Sequence, residues 1–331
     1  MSKRKNEILV SIVLMTVLVF AGCSRQKASV SEGGPVNLTI AGGSIGGAWA
    51  AIGEGVAESI RRTYTGSNVA YEVGQEAANI ALVSSNRFEL GVAHSGLVKM
   101  AMEGAGPFEG KKMTNLRAVA VLHEEAAQHF IVRANAGVKS FPDIANHPFK
   151  VNMNTKDSFM EVVAKATLEA YGISYDKIKS NGGAVDFMSM GTSLNLMRDN
   201  RIHSHSNLIQ MPSSHVVDLA INTDLVLLPM SEEAIEKVNA AVVTYRSVIP
   251  KGTYSFLKED VPTVAGTLIL VTSTDVPEDV IYKVVRSMGE NVNYLKTIHA
   301  SLADLTIEAM QKVAPAELHP GAVKYFKEVK K

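Results

Sequence analysis

The chain has 331 residues, with 33 basic and 33 acidic side chains and no net charge. Hydrophobic residues make up 46 % and charged residues 20 %, which excludes wholesale disorder, and the neutral balance argues against a protein that lives on nucleic-acid phosphates. No apolar run reaches the roughly 20 residues of a membrane-spanning helix, and the single cysteine excludes an internal disulfide or a thiolate-rich metal site.

Lys3, Arg4 and Lys5 open the chain, and Ile8 to Gly22 follows as an apolar stretch, the pattern of an export signal. Leu18-Val19-Phe20-Ala21-Gly22-Cys23 resembles a bacterial lipobox, with Phe20 where Leu is usual. The resemblance implies cleavage after Gly22 and lipidation of Cys23; a signal peptide with a chance cysteine is the alternative. Residues 1–22 are thus expected to be a lipoprotein signal peptide, and 23–36 the lipidated cysteine and a flexible tether. The body is expected outside the cytoplasm, periplasmic or extracytoplasmic, held to the cell membrane by lipid. NAD and ATP are scarce there.

From Asn37 onward short apolar runs alternate with amphipathic stretches. Strands are predicted at Leu38–Ala41, Val69–Glu72, Leu90–Ala93, Arg117–Leu122 and His129–Val132, with helices at Ala48–Thr63, Ala77–Ser84 and Leu97–Glu103. Further on come strand Lys150–Asn152, helices Phe159–Tyr171 and Ser193–Asn200, strand His203–Leu208, helix Ser213–Ile221 and strand Leu225–Leu228. The end reads as strand Val264–Thr272, helix Glu278–Thr297 behind Pro277, and helix Leu302–Lys312. Alternation of this kind predicts an α/β fold with mostly parallel sheets. Ligands of such sheets bind beyond the carboxyl ends of strands, at helix N-termini, so each strand-to-helix turn is a candidate site.

The first turn is Gly42-Gly43-Ser44-Ile45-Gly46-Gly47-Ala48-Trp49. Its glycines allow close backbone approach, and the following helix N-terminus offers N–H groups to an anion. The spacing is neither GxGxxG nor a P-loop, although Glu72 mimics the ribose-binding acid of a dinucleotide site. Glycines that serve only packing are the alternative. Gly74-Gln75-Glu76-Ala77-Ala78-Asn79 and His94-Ser95-Gly96 form the second and third turns.

Together, Gly42–Gly53 (GGSIGGAWAAIG), Gly74–Ser85 (GQEAANIALVSS) and Glu89–Ser95 (ELGVAHS) resemble the TAXI family of TRAP-transporter solute-binding proteins. Leu116–Val121 (LRAVAV), Ile249–Tyr254 (IPKGTY) and Leu318–Glu328 (LHPGAVKYFKE) extend the resemblance over nearly the whole chain after the tether. Trp49 stands where the family usually has Tyr, and Gln75-Glu76 replaces Gly-Ser. Asn152–Phe159 departs from the family's glycine-rich turn, and His203-Ser204-His205 from an aspartate-containing strand. The resemblance implies a two-lobed, periplasmic-binding-protein type II-like fold with crossing hinge strands near His123–Arg133 and Ile249–Val264. Lobe 1 is expected over 37–123 plus 250–331 and lobe 2 over 124–249. It also implies glutamate or a related dicarboxylate as ligand, no cofactor, and TRAP permease membrane subunits as partners. Closure around the solute would precede docking on the permease.

Candidate ligand-binding residues are Ser44, Ile45, Trp49, Glu76, Asn79, His94 and Ser95 in the first lobe, and Asn154, Thr155, Ser158 and Asn207 in the second, with Gln210 nearby. For Thr155 and Ser158 plain helix capping is the alternative. Glu76 would repel an anion or pair with an ammonium or hydroxyl on the ligand. His203, His205 and His215 raise a metal site as a further alternative, but no HExxH occurs and no metal is expected. His319-Pro320-Gly321 reads as a helix start. No GxSxG elbow or triad spacing supports an enzyme. Paired acids such as Glu124-Glu125 and Glu232-Glu233 read as solvated, and Met188, Met190 and Met197 as core fillers. The expected function is an exported solute-binding receptor for transport. The alternatives are a ligand sensor without transport and an NAD-binding oxidoreductase.

Overall fold

The computed structural model describes residues 33–330. The expected signal peptide, Cys23 and most of the expected tether lie outside the described residues. At the tether's end Val36 is already buried, and its N–H donates to Ser67 Oγ.

The first half of the chain runs β1 (Asn37–Gly42), α1 (Ala48–Thr63), β2 (Asn68–Val73), α2 (Glu76–Ser84), β3 (Leu90–His94), α3 (Ser95–Glu103), β4 (Leu116–Arg133), α4 (Phe141–Ile144), β5 (Lys150–Asn152) and α5 (Phe159–Ala170). The second half continues with α6 (Tyr175–Ser180), β6 (Ala184–Asp186), α7 (Met190–Arg198), β7 (Ser204–Ile209), α8 (Ser214–Ala220), β8 (Leu225–Leu227), α9 (Glu232–Ala241) and β9 (Tyr245–Ile249). It ends with β10 (Val261–Ser273), α10 (Glu278–Glu290), α11 (Val292–Ile298) and α12 (Pro320–Glu328). Local sequence explains the best-defined helices. In α1, Ile52, Val56 and Ile60 recur at helical spacing and are buried, while Arg61 and Arg62 sit in the last turn against the dipole. In α5, Ser158 caps the start by accepting the Glu161 N–H.

All the strands belong to one sheet of order β2-β1-β3-β10-β4-β7-β5-β6, with β8 added to β4 and β9 to β10. Parallel pairing is confined to its two ends, β1 with β2 and β3, and β5 with β6 and β7. Between them β4 and β10 run antiparallel to each other and to their outer neighbours β7 and β3. The sheet is therefore mixed, because the chain crosses from one end to the other on β4 and returns on β10. The two strands expected at Arg117–Leu122 and His129–Val132 are this single β4. Its polar stretch does not turn the chain because each side chain has a partner. His123 Nδ1–H donates to Ser301 O at 2.9 Å, Glu124 pairs with Lys312 at 2.7 Å, and Glu125 accepts the Ser247 hydroxyl at 2.7 Å. Those contacts also show that Glu124 and Glu125 are not simply solvated.

The return crossing lies later than the expected Ile249–Val264. Lys251 N–H donates to Asp260 Oδ1 at 2.8 Å and Gly252 N–H to Leu257 O at 3.0 Å, folding residues 250–260 into a closed loop before β10. The helix expected over Glu278–Thr297 breaks at Asn291, whose side-chain amide donates to Thr63 Oγ1 of α1 at 3.0 Å and to Ser287 O at 2.9 Å. Leu302–Lys312 is not a helix. Short 3₁₀ turns occupy Ala300–Leu302 and Ala309–Gln311, and Thr306 Oγ1 accepts the Ala309 N–H, a local bond that competes with helix propagation. His319 and Pro320 do open a helix, α12.

One apolar cluster runs through both ends of the sheet, joining Ile80, Leu97 and Val98 to Phe159, Val163 and Leu168. A second surrounds Ile52, Leu90, Ile281 and Val285, and a third Ile131, Met197, Val216 and Leu219. Two of the buried histidines, His129 and His205, have no exposed surface. His129 Nδ1–H donates to Ala127 O, leaving Nε2 to accept the Tyr254 hydroxyl at 2.8 Å, and that oxygen accepts the Ser213 N–H at 3.0 Å. His205 Nδ1 accepts from the Asn152 amide at 3.0 Å. Burial pushes His129 down to about 4 and His205 down to about 3.

Both imidazoles are therefore neutral in the fold and regain an ordinary pKa near 6.5 on unfolding. The unfolded chain binds more protons below that value, so their contribution is complete above about pH 6.5 and declines as the pH falls toward 4, by up to about 1.4 kcal/mol per pH unit for each group. Urea midpoints should drop between pH 7 and 5, less steeply in His129→Gln than in the parent; a flat parent profile would contradict the buried neutral state.

Candidate ligand-binding site

A cavity of about 720 Å³ opens where the strand-to-helix turns of both ends of the sheet meet. One wall is the Gly43–Trp49 turn before α1, the Gly74–Glu76 turn before α2, and His94 at the end of β3. The opposite wall is Asn154 and Thr155 before α5, Phe187–Thr192 leading into the first turn of α7, and Asn207–Gln210 at the end of β7. His123 and Ala126 of β4 and Leu268 of β10 form the floor between them, with Ser213, His215, His299 and Ser301 also in contact.

The best-anchored group is Glu76, which is 3 % exposed. Its Oε1 accepts the His94 backbone N–H at 2.6 Å and His94 Nδ1–H at 3.0 Å, while Oε2 accepts the Phe159 N–H at 2.9 Å. Phe159 is the first residue of α5, so the carboxylate sits on a helix N-terminus. The His94 ring lies between Trp49 and Phe159, at centroid distances of 5.6 and 5.4 Å. Phe159 is itself held in a slot made by glycines. A Cβ at Gly96 would overlap its ring, and one at Gly266 would come within 3.0 Å.

Of the other sequence candidates, Ser44, Ile45, Trp49, Asn154, Thr155, Asn207 and Gln210 line the cavity. Ile45 is 85 % exposed, at the mouth. Asn154 adopts a φ of 72°, and its Oδ1 accepts the Thr155 N–H. Asn207 donates its amide to Met190 Sδ at 3.1 Å.

Asn79, Ser95 and Ser158 are not in the lining. Asn79 spends its amide on Gly42 O and Val92 O, tying together the ends of β1 and β3. Ser95 is buried as the first residue of α3. Ser158 is the α5 cap, its hydroxyl also donating to Thr155 O. Glu72 is exposed on β2, away from the glycine turn's cavity. His203, His205 and His215 do not converge. His203 Nδ1 accepts the Lys150 N–H and His205 bonds to Asn152, and among the described residues no group of three metal-ligating side chains is assembled.

Several lining residues escaped the sequence reading. The Phe187–Thr192 turn obeys the same strand-to-helix rule, but β6 is only three residues long and was not legible as a strand. Met160, Met188 and Met190 line the cavity, whereas Met197 is core. His123, His215 and His299 join His94 in the wall. With its Nδ1–H committed to Ser301 and burial lowering its pKa, His123 is neutral, and its Nε2 lone pair is left without a partner. Ser213 Oγ is likewise buried and unpartnered. Among the described residues no lysine or arginine lines the cavity. The N-cap of α1 is Gly47, which has no side chain to cap it, and Ser189 Oγ bonds Thr192 Oγ1 instead of capping α7. Both helix starts thus present N–H groups without a side-chain cap.

A model of the NMT1-like family matches residues 40–329. The chain belongs to the NMT1-like family. Among solved structures, this NMT1-like chain resembles MatC from Rhodopseudomonas palustris with bound malate, at 14 % identity and a TM-score of 0.54 over 88 % of this chain and 96 % of that one. It also matches the alkanesulfonate-binding protein SsuA from Xanthomonas axonopodis pv. citri bound to MOPS, at 11 % identity and a TM-score of 0.49, covering 89 % and 84 %. A TctC solute-binding protein from Polaromonas follows at 14 % identity and 0.46, covering 83 % and 88 %. The fold is the two-lobed, type II-like fold of periplasmic binding proteins, with β4 and β10 as its crossing strands. SsuA is an alkanesulfonate-binding protein, the Polaromonas protein is a solute-binding protein, and MatC was solved with malate bound. No helix among the described residues is long and apolar enough to cross a membrane.

Substituting Gly96→Ala forces a methyl group into the Phe159 ring and against Val243 O. The expected cost is about 1–3 kcal/mol in urea unfolding, the usual penalty of overpacking; an unchanged midpoint would show that Phe159 is not confined by its glycine slot.

Proposed function

We propose that this NMT1-like protein is an extracytoplasmic receptor that captures a small organic solute between two lobes and delivers it to a transporter. The observation that carries the reading is the convergence of turns from both ends of the sheet on one cavity of about 720 Å³, within the range of small-molecule sites. Lobe 1 takes residues 37–123 and 250–331, lobe 2 takes 124–249, and β4 and β10 serve as hinges. MatC, solved with malate in place, supports a cleft of this kind.

The resemblance to the TAXI family extends the proposal to a TRAP-type secondary transporter, whose permease subunits receive the closed form. The lipobox-like segment adds an anchor at Cys23 on the periplasmic or outer face of the membrane. Glutamate and dicarboxylates are the ligands the resemblance implies. The uncapped start of α1 suits a carboxylate, and the lack of lysine or arginine in the lining among the described residues favours one carboxylate over two. The proposed contacts are Ser44, Ile45, Trp49 and His94 on one side and Asn154, Thr155 and Asn207 on the other. Glu76, Asn79, Ser95 and Ser158 hold the frame.

Thermal unfolding of the purified protein against glutamate, glutamine, 2-oxoglutarate, succinate, malate, sugar acids and NAD tests the reading. A ligand at about 100 times its Kd adds roughly 2.7 kcal/mol, a shift of several degrees at this size. Trp49, the single tryptophan, lines the cavity and should report the same ligand by its fluorescence. A shift confined to NAD, or none after refolding to strip bound solute, overturns the receptor reading.

A further inference from the structure

The Glu76 carboxylate belongs to α2, yet one of its oxygens is held by the backbone N–H of Phe159, across the cleft at the start of α5. The other oxygen takes two N–H groups of His94 at the end of β3. Three donors thus converge on a buried carboxylate from both sides of the hinge, and two of them are backbone groups whose place is fixed by regular structure. That is the chemistry with which a two-lobed receptor would hold the anionic end of a ligand, and here the chain supplies the anion itself. The remaining wall agrees. Among the described residues it offers no lysine or arginine to balance a further negative charge beside Glu76, while His123 Nε2 and Ser213 Oγ are buried hydrogen-bond acceptors without partners.

We propose that Glu76 is a built-in ligand and specificity determinant: its carboxylate fills the anion seat between β3 and α5, so the cleft takes a solute with one carboxylate at most and with an N–H or O–H donor for His123. The assignment of a solute rests on the receptor reading above; the filling of the seat does not. A solute with a second carboxylate directed at α5 meets a like charge at close range and finds the N–H groups already used. Its mono-amide escapes the like charge.

The seat is tested by chemical rescue. Glu76→Ala removes the atoms of one acetate and leaves the three donors in place. The variant should melt several degrees below the parent, and sodium acetate, compared with sodium chloride and acetamide at matched concentration, should restore part of that loss in the variant while leaving the parent unmoved. Equal acetate effects on both proteins, or none on the variant, overturn the proposal. If Glu76→Ala does not fold, Glu76→Gln carries the test with succinate and succinamate as probes. Succinate should bind Glu76→Gln about ten-fold more tightly than it binds the parent, whereas succinamate should bind both alike; any smaller gain for succinate overturns the proposal. Acetate rescue reads the seat whether or not the protein carries a solute, so a failed ligand panel with a successful rescue would sink only the receptor reading.

Discussion

Everything about the site depends on one strand being shared. β4 pairs with β10 up to Ala127 and with β7 from Ala127 onward, so a single residue marks the point where the strand changes partners. A strand cannot belong to two parallel units at once unless it leaves one and enters the other. The return strand β10 must then run back beside it, which is why the middle of the sheet is antiparallel and its ends parallel. The same geometry brings the carboxyl ends of β1, β3, β5 and β7 toward one another. The cavity is a consequence of that crossing, and its floor residues His123 and Ala126 lie on the crossing strand itself.

Around the floor, polar groups are arranged by economy. Burial keeps His123 and His129 neutral, and each fixes its tautomer by giving Nδ1–H to a backbone carbonyl. At His129 the free nitrogen is used internally, through Tyr254, to hold the Ser213 backbone. At His123 it is left over. A buried acceptor without a partner is costly, and in a cavity wall the cost is recoverable by whatever donates to it. Among the described residues, the one carboxylate in the lining already accepts three N–H groups, so the unsatisfied groups, not the charges, carry what recognition remains.

The sequence made the elements with strong periodicity plain. Helix Ala48–Thr63 and strand Lys150–Asn152 have the predicted limits, and the first three glycine- and histidine-bearing turns lie on one rim as the strand-to-helix rule requires. What was hidden has physical causes. β4 read as two strands because His123, Glu124 and Glu125 are polar, and their partners, Ser301, Lys312 and Ser247, lie more than a hundred residues away. Asn291 broke a helix through a contact with α1 that no local pattern reveals. Glu76 was visible as a carboxylate at the cleft, but its role depends on Phe159, 83 residues further along the chain. The fold was therefore more legible than the site, because local periodicity marks elements while recognition is assembled from pairs distant in sequence.

The two ends of the cavity differ in stiffness. Around Glu76 the wall is backbone N–H, an imidazole clamped between Trp49 and Phe159, and a ring wedged among glycines. On the opposite wall stand Met188 and Met190, unbranched thioethers with several low-barrier torsions. A wall of that kind reshapes itself at little cost to accommodate an extra methylene or to close over a missing one, whereas the rigid end does not yield. The consequence is a lopsided selectivity. Homologues that differ in chain length or branching at the thioether end should be poorly told apart, and solutes that differ in the group presented to the rigid end should be told apart well.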